Sequence, residues 1–147
     1  MWTEEGWYRT GDLLRWTEDG ELQFIGRERD AIRRAGEMIA PSFIEEAAIT
    51  HPHVVEAAAV GVPAEDGVEE EVLLCLVAAE GEELDLDEVA SFLAGVLPRY
   101  LVPRWLRVHP ELPKTPTTRG RKVELRALGT HDAWNTRQHR WAAPPEA

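Results

Sequence analysis

Two stretches of this chain have residue types and spacing suited to an anionic ligand that carries a sugar. Residues 112–126 read LPKTPTTRGRKVELR, a proline-fixed approach followed by Arg119, Arg121 and Lys122. Cationic donors converging on a Thr/Gly-rich backbone suit phosphate or carboxylate oxygens, because little side-chain bulk stands between them. Near the start, RTGD places Asp12 at the end of a turn, just ahead of a strand pattern. A carboxylate there either caps local backbone or accepts two hydroxyls of a sugar, the device nucleotide sites use on ribose. Arg27, in GRERD, is placed to grip the same sugar, and Gly36 lets the backbone turn or lie close to a ligand. Activating a carboxylate on a nucleotide needs such a cation near the carboxylate oxygen and the α-phosphate, where negative charge gathers. It also needs contacts that hold the nucleotide in line. Ordinary solvated basic turns satisfy the same pattern, so the residues by themselves leave both readings open.

The chain's net charge of -11 argues against a nucleic-acid face, which needs a broad positive field. Its cations instead cluster at positions 27, 29, 33 and 34 and at 119, 121, 122 and 126, a local pattern that fits an anion site. Cys75, the single cysteine, lies in VLLCLVAA and reads as a buried apolar thiol. His51, His53, His109, His131 and His139 form no spacing expected of a zinc site, so no metal is assigned to protein side chains. No serine carries a nucleophile elbow, and Glu45-Glu46 and Glu69-Glu70-Glu71 read as solvated surface, leaving hydrolase chemistry without support. The first residues are no signal peptide and no apolar run nears membrane-spanning length, so the expectation is a soluble, cytoplasmic protein with no membrane span.

These residues need elements to hold them. Leu13, Leu14 and Trp16, then Asp19-Gly20, then Leu22, Phe24 and Ile25 predict a hairpin. The charged link 26–30 marks a boundary. Ser42, with Glu45 three on, predicts a capped helix ending near His51-Pro52. Residues 54–62 and 72–79 read as covered strands joined by an acidic loop. Asp85 and Glu88 predict a second capped helix, residues 105–108 a further strand, and Val123, Leu125 and Leu128 a short helix stopped by Gly129. The tail from 131 shows no period and is expected to fray or lie along the surface, pinned by Trp134 and Trp141. The order predicts an α+β fold, a small sheet packed against helices and preceded by a β-hairpin.

Three of these stretches together resemble adenylate-forming enzymes of the acyl-CoA synthetase superfamily. The family's YxTGD is similar to residues 8–12, its GRxxDxIxxxGExIxPxxIE to residues 26–45, and its LPKTxTGKxxxxxLR to residues 112–126. The ending LRALGTHDAW is similar to crotonobetaine/carnitine-CoA ligase-like members. The resemblance implies that Asp12 binds both ribose hydroxyls with Arg27 assisting. It implies that Arg29 is the hinge between two orientations of the small domain, and that the segment around Gly36 lines the pantetheine tunnel. Residues 1–28 would then be the end of a large N-terminal adenylation domain, 29–130 the small lid and 131–147 a tail. ATP or AMP, CoA and Mg2+ with ATP are the implied ligands, in the chemistry of fatty acid metabolism.

Two departures shape the expectation. Arg119 stands where the family has the Lys that contacts carboxylate and α-phosphate, and a planar guanidinium places its donors differently. Lys122 is the possible substitute if the loop takes another path. The sequence also lacks the family's Ser/Thr/Gly-rich phosphate loop, so the chain is expected to need an N-terminal adenylation domain or subunit and to be inactive alone. The alternative is a non-catalytic binding or regulatory module derived from the same domain. Trp2, Trp7 and Tyr8, without a supporting neighbour, are expected to promote a homo-oligomer.

Overall fold

The computed structural model describes the backbone of residues 1–113 and 118–142, with side chains at 1–113 and 122–142. β1 (Asp12–Trp16) and β2 (Leu22–Arg27) form the expected antiparallel hairpin, closed by Thr17, whose amide donates to the Glu21 carbonyl at 2.8 Å. Leu14, Trp16, Leu22 and Phe24 all remain more than half exposed, so among the described residues nothing covers that side of the ribbon. A single 3-10 turn, Glu28–Asp30, leads into β3 (Ile32–Arg34) and β4 (Glu37–Ile39). Ala35 at φ 53° and Gly36 at φ 76° make the tight connection between these two strands. Two successive positive-φ residues match the right-handed twist of flanking strands, and glycine takes that conformation without strain.

The first long helix departs from its predicted start. α1 (Pro41–Ile49) begins one residue before Ser42, with Ala40 extended at the N-cap and no side-chain cap. Proline at the first helical position loses no hydrogen bond, since that N–H would have had no partner within the helix. Ser42 is thereby released: its Oγ donates to the Ile25 carbonyl at 2.5 Å and ties α1 to β2. The Arg15 guanidinium over the Phe43 ring, 5.3 Å from its centroid, adds a second tie.

The main sheet runs in the order β5 (Val54–Pro63), β6 (Glu70–Ala78), β7 (Trp105–Val108), β8 (Trp134–Asn135), β9 (Arg140–Trp141). Only β6 and β7 pair in parallel, and that pairing requires a crossover, which carries α2 (Leu86–Val96). Asp85 caps α2 as predicted, its Oδ1 accepting from the amides of Asp87 at 2.9 Å and Glu88 at 3.3 Å. Alternate residues of β5 and β6 serve different layers. Ala57, Ala59, Val72, Leu74 and Leu76 pack with Ile44 and Ala48 of α1 and Val89 and Leu93 of α2. Ala58, Val60, Val62, Leu73 and Cys75 pack with Leu112 and with Leu125 of α3 (Thr118–Ala127). Strands covered on both faces read as unbroken apolar runs, as these do. Among the described residues no helix is long and apolar enough to cross a membrane.

Two predictions about the C-terminal third are corrected. The segment from Thr118 to Lys122 is the first part of α3 rather than a loop. The residues expected to fray supply β8 and β9, with Ala133 and Asn135 buried and the Trp134 and Trp141 rings edge to face at 5.4 Å. Two-residue strands carry no period to detect. Arg107, buried on β7, donates to the carbonyls of Gly129 (3.0 Å) and His131, fixing the exit from α3.

Leu106 is fully buried on β7, so Leu106→Ala should cost about 2–5 kcal/mol in urea unfolding. Val123→Ala on the exposed side of α3 should stay within about 0.5 kcal/mol. His109 supplies a pH-dependent component. Burial, then the nearby Arg107 charge, lower its pKa in the folded chain. The unfolded chain therefore binds the proton more readily, and this component is complete above the ordinary imidazole value of about 6.5. It is lost as pH falls below that value toward the folded-state pKa. Unfolding curves from pH 8 to 5 should show a smaller loss for His109→Gln than for the unaltered chain.

Candidate functional site

The register of the first hairpin sets Asp12 directly across from Arg27. Their side chains form an ion pair, and Arg27 also donates to the Thr10 carbonyl at 3.3 Å. The Asp12 amide donates to Thr10 Oγ1 at 3.1 Å, and the Glu28 amide to the Gly11 carbonyl at 2.8 Å, so the RTGD turn is stapled to the strand end opposite. The Asp12 side chain stays partly accessible, at 23% exposure, which leaves acceptor capacity for a ligand hydroxyl. Beside it lies a depression of about 450 Å³ lined by Arg9, Arg27, Arg29 and Arg33. Four guanidinium groups around one depression in a chain of charge -11 concentrate positive potential there.

Arg29 occupies the middle of the 3-10 turn, the one short connection between the exposed hairpin and the rest of the chain. It lines a second cavity, of about 350 Å³, together with Gly26, Pro41, Glu45 and Lys122. Lys122, far away in sequence, thus reaches the neighbourhood of the 3-10 turn. Its Nζ lies 2.7 Å from Glu45 Oε1, and the same oxygen accepts from the Ala59 amide at 2.9 Å. β5 is one of the two outer strands of the main sheet among the described residues, so one carboxylate from α1 covers an outward amide and meets a cation arriving from α3. Arg119 lies one helical turn before Lys122 on α3, and its side chain is outside the described residues.

Glu45 and the acidic triplet are not the solvated surface that the sequence predicts. Glu69 Oε2 accepts from the Ala35 amide at 2.6 Å and its Oε1 from the Gly36 amide at 3.1 Å. Glu70 Oε2 accepts from the Arg33 amide at 3.0 Å. Glu71 pairs with Arg34 at 3.0 Å and with Arg137 at 3.7 Å. Arg34 itself donates to the carbonyls of Tyr100 and Val102, at 3.1 and 2.8 Å. Burial lowers the Arg34 pKa most, the Glu71 charge opposes that, and Arg137 and Arg104 lower it further. The one sequence signal was a run of three acids directly before an apolar strand, too dense for a simple exposed turn. Among the described residues no three His, Cys, Asp or Glu side chains group to hold a metal ion.

The profile of the AMP-binding enzyme C-terminal domain matches residues 44–119. A 2-hydroxy-7-methoxy-5-methyl-1-naphthoate–CoA ligase of Streptomyces carzinostaticus is 40% identical over 126 residues, covering 85% of this chain and 22% of that protein. The mitochondrial medium-chain acyl-CoA ligase ACSF2 of Pongo abelii is 35% identical over 123 residues, covering 84% of this chain and 20% of that protein. The crystal structure of ATP-bound MatB from Rhodopseudomonas palustris superposes with a TM-score of 0.75 at 32% identity, covering 86% of this chain and 25% of that one. The chain spans about a fifth to a quarter of the length of these proteins.

Removing the acceptor at the sheet edge should be measurable. Glu45→Ala takes a partner from both Lys122 and the Ala59 amide, and should lower stability by about 1.5–3 kcal/mol in chemical denaturation. A loss below about 0.5 kcal/mol would reduce the pair to an ordinary surface contact.

Proposed function

The chain belongs to the AMP-binding enzyme C-terminal domain family, and on that premise we propose that it is the lid of an ATP-dependent acyl-CoA ligase. The observation that carries this reading is the continuity of three devices. A carboxylate–guanidinium pair at Asp12 and Arg27 is followed at once by the one-turn connection at Arg29, and then by the tight turn at Ala35-Gly36. In the reaction proposed, a carboxylate oxygen attacks the α-phosphorus of ATP, the α–β bridge breaks and pyrophosphate leaves with its electron pair. The sulfur of CoA, having given up its proton, then attacks the acyl carbon and AMP leaves, giving the thioester.

Each residue has a definite part. Asp12 accepts the two ribose hydroxyls, and Arg27 holds its carboxylate in place and assists. Arg119, the catalytic candidate, offsets the negative charge that gathers between carboxylate and α-phosphate. Lys122 stands one turn further along and is the reserve cation, freed only by releasing Glu45. Rotation about Arg29 would exchange the face presented to the nucleotide for the Gly36 turn, which would then line the path of the pantetheine arm. Magnesium enters with the ATP phosphates.

A large adenylation body is the partner in this reading, supplying the acyl pocket and most of the nucleotide contacts. Its support is the share of the relatives' length that the chain does not span, together with the uncovered aromatic faces of Trp2, Trp7 and Trp16. Without that body the chain is proposed to be inactive and to self-associate through the same faces. Arg119 in place of lysine favours one other reading, a binding or regulatory module that keeps the fold without turnover.

The test joins the chain to the adenylation body of its own enzyme, with ATP, Mg2+, CoA and a panel of acids, and measures AMP. Acid-dependent AMP is expected from the combination and none from the chain alone. Asp12→Ala should lower kcat/KM about a hundredfold, the loss of two hydrogen bonds to a charged acceptor. Arg119→Lys should raise adenylation. Saturable binding without AMP would overturn the ligase reading in favour of the binding module.

A further inference from the structure

We propose that Glu69 is a positioning residue for the CoA-dependent half of this reaction, holding the Ala35-Gly36 turn from behind. The inference rests on the ligase reading above and goes beyond it, because Glu69 would touch neither nucleotide nor thiol. A tight turn can aim successive backbone amides toward the same side and form a small anion-binding concavity. In this chain that concavity is already filled: Glu69 takes the Ala35 amide on one oxygen and the Gly36 amide on the other, at 2.6 and 3.1 Å.

A Cβ built on Gly36 would meet no heavy atom of the described residues within 4 Å, so the clamped turn has free space beside it for a narrow chain-like substrate. Such a turn needs an external anchor. β3 and β4 have three residues each, and a ribbon of that length is not stable by itself. The anchor comes from three consecutive acids, Glu69 in the bend just before β6 and Glu70 and Glu71 at its start. Glu70 takes the Arg33 amide, and it lies where Gly61 leaves room: a Cβ on Gly61 would come within 2.6 Å of its carboxylate. Glu71 holds the Arg34 guanidinium. Glu69 is the member of the three that reaches the tip, and it roots the tip to a strand buried on both faces.

The experiment uses the chain joined to the adenylation body and separates the two halves: acid-dependent pyrophosphate release without CoA, then thioester formation with CoA. Glu69→Ala should slow thioester formation about tenfold, the loss of a charge-assisted acceptor, while pyrophosphate release changes by less than about twofold. Glu69→Gln keeps one acceptor oxygen with the original shape, so it should recover part of the rate and fold normally. Amide exchange at Ala35 and Gly36 should quicken in the order wild type, Gln, Ala. Equal loss in both halves would make Glu69 merely structural and overturn the inference, as would no change in either. If the unaltered chain and body give neither pyrophosphate nor thioester, the ligase reading falls and takes this inference with it. That outcome differs from a working enzyme whose Glu69 variants are indifferent.

Discussion

Because Ala59 lies opposite Leu74 and Val60 opposite Leu73, a slip of one residue between β5 and β6 would send each side chain to the wrong layer. The two layers are unlike. One receives α1 and α2, the other receives α3, and each contributes a separate part of the candidate site. α1 brings Ser42 to the Ile25 carbonyl and so holds the exposed hairpin near the 3-10 turn. α3 carries Arg119 and Lys122 along the other face. The pairing of two apolar strands thus decides where charged groups meet, although none of those groups lies on either strand's buried surface.

Several acids of this chain act as fixed acceptors. Glu45 serves an edge amide and a lysine, Glu69 and Glu70 serve three amides of the small hairpin, and Asp85 caps a helix. A carboxylate accepting amide N–H groups or facing a guanidinium is worth more than an exposed ion pair, because its partners are fixed by the backbone or by shape. At these positions the negative charge sits where backbone donors need it.

What the sequence made legible were the features with a local signature. The first hairpin, the Asp85 cap and the two covered strands follow from turn residues, capping chemistry and apolar runs, all short-range. Asp12 and Arg27 were readable as a sugar-gripping pair from residue type, the family resemblance made that reading specific, and the strand register sets them face to face. The features that escaped depend on partners distant in the chain. Ser42 read as a cap because nothing local reveals that Ile25 would compete for its hydroxyl. Glu69 read as surface because its partners are 33 and 34 residues earlier. The tail read as loose because β8 and β9 gain their order from pairing with β7 and each other, over strands too short to show a pattern.

The clasp of Glu45 and Lys122 at β5 has a further consequence. An outer strand with unsatisfied amides is a template on which a second chain can add its own strand, the first step toward ordered aggregates. Here the template is interrupted near its middle by a carboxylate seated on the Ala59 amide and covered by an ammonium. Were Lys122 drawn away to serve as a reacting cation, the interruption would be weakened at the same moment. Solubility and chemistry would then compete for a single side chain.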